Sequence, residues 1–233
     1  MSKQNRSSEE INRLQEKMKI QLLCSGADFV GFAAISDQGF PDNADLRTAI
    51  AIGISYDSKI VDRLDSEIDA FQRHLLDTKE KMENLLEVCD KFLKRNHFIT
   101  WIPPIAKNLP GLLGDFSHKM AATKGGLGWI GKSSLFVSTE FGCGVRLATV
   151  LTNASFTTGK SVIESHCGDC IACVEVCPYE AIRGTSWYPG IERDKLFDAF
   201  LCNRKREEYV HKLGYKHPCG LCIKVCPVGK RED

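Results

Sequence analysis

Residues 167–178 decide how the end of this chain folds, and they are Cys167-Gly-Asp-Cys170-Ile-Ala-Cys173-Val-Glu-Val-Cys177-Pro178. A shorter run repeats the last part of this pattern with one cysteine fewer, as Cys219-Gly-Leu-Cys222-Ile-Lys-Val-Cys226-Pro227. Between the two runs, Cys202 can supply the missing thiol. Because eight of the 11 cysteines lie in this last part of the chain, we expect bound ligands, rather than a large apolar core, to stabilise it.

The spacing C-x2-C-x2-C-x3-C-P is typical of bacterial ferredoxins with two [4Fe–4S] clusters, in which the fourth cysteine ligates the other cluster. The eight thiols then form two complete sets of four. The predicted ligands are Cys167, Cys170, Cys173 and Cys226 for the first cluster, and Cys177, Cys202, Cys219 and Cys222 for the second. Two zinc sites could also use paired cysteines, but they would leave the three-cysteine run and both Cys-Pro endings without a purpose. Disulfides would need an oxidising compartment, which nothing in the sequence indicates.

Composition excludes several classes of protein. The 233 residues are 43% hydrophobic and 26% charged, which is in the globular range. The net charge of +1 creates no general attraction for nucleic acid or membrane. We find no apolar run of about 18 residues that could span a membrane, and the first ten residues lack the apolar core of a secretory signal. We therefore expect a cytoplasmic protein that has no membrane partner.

Apolar periodicity predicts an α+β fold for the first part of the chain. The polar connection at 153–160 suggests a boundary, with an α+β domain over residues 1–158 and a small cluster domain over 159–233. Ser7 and Glu10 form a capping box before the first helix. The remaining predicted elements are strands at 28–35, 48–56, 97–102, 134–138 and 145–152, a long helix at 60–96 and a short helix at 117–124.

A glycine-rich loop, Gly126-Leu-Gly128-Trp-Ile-Gly131-Lys132-Ser133, matches two nucleotide-binding patterns. Both patterns require a strand before the glycines and a helix after them, whereas this sequence predicts a helix before and a strand after. Nucleotide binding is therefore disfavoured. Two interpretations stay open: a tight turn with structural glycines, or a loop that approaches another cofactor through Gly126, Gly128, Gly131 and Lys132.

The residues 117–133, the strand at 145–152, the segment Trp187-Tyr-Pro-Gly190 and the paired cysteine motifs together resemble the epoxyqueuosine reductase family. The resemblance implies a nitroreductase-like domain that holds cobalamin, joined to a ferredoxin-like domain with two clusters. It also implies that an external donor, of the ferredoxin or flavodoxin type, passes electrons through the clusters to a corrinoid. In such a scheme the corrinoid lies against the loop 126–132 and carries the difficult chemical step.

The sequence departs from this family at its proton donor. Leu112 occupies the position of the family's aspartate, so Asp115 and His118 become the candidate general acids. A helix N-cap and a surface histidine are the alternative roles for these two residues. We expect no helical-repeat extension of the kind that offers a tRNA surface in the family, and the charge cluster 204–206 is a poor substitute, so tRNA binding is not favoured.

The substrate class expected from the resemblance is a small molecule or a modified nucleoside. Two other functions stay open. One is a non-catalytic electron carrier or accessory subunit, and the other is an ATP-driven electron activator. The isolated Cys24, Cys89 and Cys143 are expected to be buried small apolar residues, although Cys143, between Gly142 and Gly144, could lie near a site.

Overall fold

The computed structural model describes residues 6–35, 45–103, 110–114 and 116–229. Its centre is a four-stranded antiparallel sheet in the order β1-β2-β6-β3. The strands of this sheet are β1 (Phe29–Ala34), β2 (Thr48–Ser55), β3 (Thr100–Trp101) and β6 (Val145–Thr152). The two remaining strands, β4 (Gly128–Ile130) and β5 (Phe136–Ser138), form a separate antiparallel hairpin.

Two long helices cover one face of the sheet. Helix α1 (Ser8–Cys24) and helix α3 (Ile68–Arg95) contribute apolar side chains to the larger core, where they meet the sheet residues Ile50, Ile52 and Val150. The opposite face carries Ala49 and Ala51 at the alternate positions of β2. Because these side chains are small, helix α4 (His118–Lys124) can pack closely there.

Most of the elements predicted for the first part are confirmed. The Ser7 hydroxyl accepts a hydrogen bond from the Glu10 backbone N–H at 3.2 Å, so the predicted cap starts α1. Strands β1, β2 and β6 and helix α4 lie where the apolar patterns place them. The prediction of a strand over 97–102 was too long, since only Thr100–Trp101 pairs and His97 has a positive φ of 59°.

The prediction of one helix over 60–96 was wrong. The structure has a short helix α2 (Ser58–Asp62), a turn over 63–67, and then α3. Leu64, in the turn, is only 2% exposed and packs with Val61 and Phe71. Leu64 is buried in the same small core as Val61 of α2 and Phe71 of α3. The apolar residues therefore keep a helix-like spacing through the turn, although the helix is interrupted there.

The last part of the chain contains only short elements. They are the helices α5 (Ala172–Glu175), α6 (Arg193–Leu196), α7 (Ala199–Glu207), α8 (Val210–Leu213) and α9 (Leu221–Lys224). Helix α5 lies inside the first cysteine motif and contains Cys173, and helix α9 lies at the equivalent place in the second motif and contains Cys222. The two helices contact each other. None of the helices in the described ranges is long and apolar enough to cross a membrane.

Candidate metal centre

The first predicted set of thiols comes together around helix α5. Cys173 lies on this helix, while Cys167 and Cys170 lie on the loop before it and Cys226 arrives from the second motif. Burial, followed by the neighbouring thiols of Cys167, Cys170 and Cys226, raises the pKa of Cys173 to about 11. The same four cysteines that the spacing assigned to one cluster are therefore electrostatic neighbours in the structure.

The second predicted set also converges, although its members come from three separate segments. Cys202 lies on α7, Cys222 on α9, and Cys177 and Cys219 on loops. Burial raises the pKa of Cys222 to about 12, with further contributions from Cys219, Cys202, Cys173 and Cys177. Since Cys173 belongs to the first set, the two sets are adjacent.

Both cysteine motifs begin with the same backbone feature. Gly168 and Gly220 each follow the first cysteine of a motif and have positive φ angles of 50° and 92°. At Gly220 a Cβ atom would also lie 2.7 Å from the ring of Phe71. The second motif therefore packs against α3, and a larger residue at Gly220 would push it away.

The glycine loop forms part of a hairpin rather than only a turn, because strand β4 starts at Gly128. A Cβ atom on Gly128 would lie 2.0 Å from the carbonyl oxygen of Val137 in β5. A Cβ atom on Gly131 would lie 2.9 Å from the Val137 side chain and 3.4 Å from the sulfur of Cys167. These glycines let the hairpin close and let the first cysteine loop approach it. The sequence analysis did not predict β4, because this strand has only three residues and one of them is glycine.

Lys132 follows this hairpin strand and points at the first cysteine loop. Its Nζ atom donates hydrogen bonds to the carbonyl oxygens of Gly168, at 2.7 Å, and Cys170, at 3.1 Å. The residue is only 7% exposed. Lys132 therefore connects the hairpin to the loop that carries Cys167 and Cys170.

One buried polar atom in this region has no partner among the described residues. The indole Nε1–H of Trp129 is buried without a hydrogen bond. Trp129 and Cys143 belong to an apolar cluster against which Cys167 and Cys226 pack. A buried donor left unpaired costs free energy, and the inorganic sulfides of an iron–sulfur cluster are acceptors of hydrogen bonds. The residues around the first set therefore fit a cluster.

The isolated cysteines behave in different ways. Cys89 is fully buried in the larger core, as predicted, but Cys24 is exposed at the end of α1, so the prediction of burial was wrong there. No sequence pattern indicated this, because a residue in the last turn of an amphipathic helix can lie on the buried or on the exposed side. Cys143 is buried, with its sulfur 3.8 Å from the Cys222 carbonyl oxygen. A hydrogen bond with Cys226, and then burial, raises the pKa of Cys143 well above its usual range.

The candidate general acids lie at the start of α4. Asp115 is outside the described residues. Ser117 is the N-cap of the helix, because its hydroxyl accepts a hydrogen bond from the Met120 N–H. His118 is half-buried, with Nδ1 3.0 Å from the Thr149 hydroxyl, and burial lowers its pKa. The alternative of a surface histidine is therefore wrong.

A cavity of about 410 Å³ adjoins the second set of thiols. Its lining includes all four cysteines of that set together with Leu112, Lys119, Ser134 and Arg193. Lys119 Nζ donates to the Ser134 carbonyl oxygen at 2.6 Å, and burial, followed by the positive charge of Arg193, lowers the pKa of Lys119 to about 8. The Arg193 Nη1 donates to the Leu112 carbonyl oxygen at 3.0 Å.

Lys119 and Arg193 were not predicted as site residues. Each is a basic residue in a polar stretch, a pattern that ordinarily indicates a solvated surface. Lys119 on α4 and Arg193 on α6 are far apart in sequence and line the same cavity only in the folded chain, so the sequence alone carried no direct signal for either one.

Comparison with known proteins agrees with this arrangement. Residues 166–229 match a 4Fe-4S double cluster binding domain, so the two predicted [4Fe–4S] clusters are confirmed. Epoxyqueuosine reductase of Bacillus cereus is 36% identical over 125 residues, which are 52% of this chain and 31% of that protein. The match therefore spans about a third of the length of the curated relative. The predicted resemblance to epoxyqueuosine reductases is confirmed.

Solved structures show the same fold. An epoxyqueuosine reductase bound to a tRNA-Tyr epoxyqueuosine-modified stem loop superposes with a TM-score of 0.61 at 18% identity, covering 94% of this chain and 66% of that one. A reductive dehalogenase, whose structure suggested a mechanism for B12-dependent dehalogenation, gives a TM-score of 0.74 at 17% identity. That match covers 99% of this chain and 34% of the dehalogenase.

Proposed function

We propose that this iron–sulfur protein, which resembles epoxyqueuosine reductase, is a reductase that passes single electrons through two [4Fe–4S] clusters to a corrinoid. The observation that carries the proposal is the cavity beside the second set of thiols. One wall consists of cluster ligands, and the other contains Leu112, Lys119 and Ser134 from the α+β part. The cluster itself would occupy the part of this cavity between its four thiols, and we place the approach of the corrinoid at the side that Leu112, Lys119 and Ser134 line.

The ligand assignment follows the two sets of neighbouring thiols. Cys167, Cys170, Cys173 and Cys226 hold the first cluster, and Cys177, Cys202, Cys219 and Cys222 hold the second. Burial, and then the neighbouring thiols, raise the pKa values of Cys173 and Cys222, and bound iron would favour their thiolate forms. In a cubane each thiolate binds a different iron, which suits sets whose members come from distant segments.

The domain division proposed for this function keeps the boundary predicted from the sequence. Residues 1–158 form the nitroreductase-like α+β domain, and residues 159–233 form the ferredoxin-like domain. The hairpin β4–β5 and helix α4 connect the two parts, since the first cysteine loop packs on the hairpin and Lys119 on α4 lines the cavity of the second set.

A corrinoid would supply the low-valent cobalt that reduces a substrate. The structural neighbour named for B12-dependent dehalogenation supports this choice of cofactor. In this chain, Lys119 and Arg193 are two of the three basic side chains of the cavity, and they could contact its amide and phosphate groups. We keep Gly126, Gly128, Gly131 and Lys132 as the proposed cofactor-side loop. Gly128 and Gly131 let the hairpin close, a Cβ atom on Gly126 would lie 2.8 Å from the Lys160 carbonyl oxygen, and Lys132 binds the first cysteine loop.

The reduction also needs a proton, and three groups of this chain are candidates. Asp115 and His118 remain the candidates from the sequence. Because burial lowers the pKa of His118, a smaller fraction of its imidazole carries the proton that it would have to donate. Lys119, with a pKa of about 8, is mostly protonated at that pH and lies in the cavity, so we propose Lys119 as the proton donor.

The proposed partners are an external donor of the ferredoxin or flavodoxin type and a small-molecule or modified-nucleoside substrate. A tRNA stem loop is bound by the structural neighbour, but the basic run 204–206 does not offer an equivalent surface here. Lys205 pairs with Glu208 at 3.0 Å, and Arg206 turns towards Cys202. We therefore do not include tRNA among the partners.

The presence of leucine where the family has its aspartate favours a second candidate, a non-catalytic electron carrier. In the structure Leu112 lines the cavity and offers only its carbonyl oxygen, which Arg193 already binds. A carrier would need neither a proton donor nor a second cofactor.

An anaerobic binding experiment separates the two functions. The clusters are reconstituted, hydroxocobalamin is added, the unbound fraction is removed, and the visible spectrum and iron content are recorded. A retained corrinoid band beside the iron–sulfur absorption supports the reductase. The variant Lys119→Met should then bind less corrinoid and keep its eight irons, while Lys124→Met, at the end of the same helix, should match the parent. Iron–sulfur absorption without a corrinoid band would contradict the proposal and favour the carrier.

A further inference from the structure

The second cluster site contains a positive charge that belongs to neither the ligand set nor the proton chemistry. Arg206 lies on helix α7, four residues after Cys202, so both side chains project from the same face of the helix. The Arg206 guanidinium is half-buried, and its positive charge lowers the pKa of the Cys202 thiol, against the larger effect of burial, which raises it. The sequence placed this arginine in a solvated charge cluster, and the structure instead turns it inward.

A second contact fixes the direction of this side chain. The Arg206 Nε–H donates to the carbonyl oxygen of His217 at 2.6 Å. The backbone N–H of His217 in turn donates to the Arg206 carbonyl oxygen at 3.2 Å. With one guanidinium nitrogen held on His217, the rest of the group stays beside Cys202. The geometry is therefore preorganised, and the charge does not depend on a freely rotating side chain.

The surrounding cavity reinforces the effect of this charge. The cavity that adjoins the second set is lined by three basic side chains, those of Lys119, Arg193 and Arg206. Among the described residues that line it, none is aspartate or glutamate. Of the three cations, Arg206 is the one that shares a helix with a proposed ligand, Cys202, four residues before it.

We propose that Arg206 sets the reduction potential of the second cluster by hydrogen-bonding the Cys202 thiolate and by placing a fixed positive charge beside it. This inference rests on the proposed function, because it requires a cluster on Cys202. When the cluster accepts one electron from its donor, its charge becomes more negative by one unit, and no bond or proton is exchanged. A nearby cation and a hydrogen bond to sulfur both stabilise the reduced form more than the oxidised form.

The expected effect is a shift in the potential of one cluster. Replacing Arg206 by glutamine keeps an amide that can bond the His217 carbonyl oxygen but removes the charge. We expect Arg206→Gln to shift the reduced-to-oxidised ratio of the second cluster about tenfold towards the oxidised form, which is a potential lower by about 59 mV for a one-electron couple. The first cluster in the same molecule is the internal reference.

The experiment is an anaerobic redox titration of the reconstituted full chain, monitored by electron paramagnetic resonance, for four proteins. These are the parent, Arg206→Gln, Arg206→Lys and Arg204→Gln. Arg204 is exposed on the same helix and is the matched control for loss of one charge. The proposal predicts that Arg206→Lys keeps most of the parent potential, because the charge remains, and that Arg204→Gln is unchanged.

Several results would overturn the proposal. It fails if Arg206→Gln changes the ratio for the second cluster less than twofold, if both clusters shift together, or if Arg204→Gln has the same effect. If Arg206→Gln loses the second cluster, the test uses Arg206→Lys instead. A strongly lowered potential of the second cluster in Arg206→Lys would contradict the proposal, because the positive charge is still present in that variant. Failure of the ligand assignment is seen separately, because Cys202→Ala would then retain both clusters and all eight irons. Failure of the proposed function is seen as iron–sulfur absorption without a retained corrinoid band.

Discussion

Lys132 offers the sharpest test of how the first cluster is held. Its ammonium donates to two carbonyl oxygens of the first cysteine loop, those of Gly168 and Cys170, and the side chain is almost completely buried. The variant Lys132→Met keeps the length and the apolar stem of the side chain but removes both hydrogen bonds. The loop 167–170 would lose its main polar attachment to the hairpin, while the second set of cysteines is not touched.

The size of the effect follows from these two contacts. A hydrogen bond to a charged group contributes about 1.5–3 kcal/mol, so two such bonds contribute roughly 3–6 kcal/mol before the cost of burying the ammonium is subtracted. We take about 3 kcal/mol as the net loss, felt as a local opening of the loop rather than as global unfolding. At about 1.4 kcal/mol per factor of ten, the open loop would be populated on the order of 100-fold more often.

The assay is anaerobic removal of iron by a chelator, with the two clusters followed separately by electron paramagnetic resonance. When opening is fast relative to chelation, the rate of iron loss follows the population of the open loop. We expect the first cluster of Lys132→Met to be lost on the order of 100-fold faster, with the second cluster close to the parent rate. Lys160→Met is the matched control, because Lys160 is an exposed lysine on the connection just before the motif.

Two results would refute this reasoning. If the first cluster of Lys132→Met lost iron within twofold of the parent and of Lys160→Met, the two hydrogen bonds would not hold the loop. If both clusters became equally labile, the lysine would act on the whole fold and not on the first loop.

Three further predictions concern single residues. Cys143→Ala should keep eight irons, because Cys143 contacts the Cys222 carbonyl without being a ligand, and iron analysis showing fewer would place it in a cluster. Gly142→Ala should destabilise the first cluster, since φ is +65° and a Cβ atom would lie 1.9 Å from the Val228 carbonyl oxygen; unchanged iron content after heating would contradict this. Cys89→Ser should lower the free energy of unfolding by about 1–3 kcal/mol by burying a hydroxyl in an apolar core, as measured by anaerobic urea titration with near-ultraviolet circular dichroism.

The sequence predicted those parts of the fold in which local chemistry and tertiary structure agree. The cap at Ser7 and the apolar run that forms β2 depend on nearby residues, and both are confirmed. The cluster cofactors were predictable for a related reason, because the spacing of thiols in each motif is dictated by the cubane and not by distant packing.

The errors arose where distant contacts decide. Leu64 continues the apolar spacing of a helix, yet it lies in a turn. It is buried there because it packs with Val61 of α2 and Phe71 of α3 in one small core. Strand β4 has only three residues, so its pairing with β5, rather than a local pattern, makes it a strand. Arg206 and Lys119 are directed inward only because other segments surround them, and no local pattern distinguishes such residues from solvated ones.

The glycine loop shows why a motif match requires its structural context. In a phosphate-binding loop the glycines expose backbone N–H groups and the lysine reaches a phosphate. Here Gly128 is needed because β4 and β5 approach closely, and Lys132 binds carbonyl oxygens that carry partial negative charge. A phosphate would have to displace two hydrogen bonds that position a cysteine loop. The same residue types therefore serve cluster assembly, and the order of helix before strand was the sequence feature that already separated the two uses.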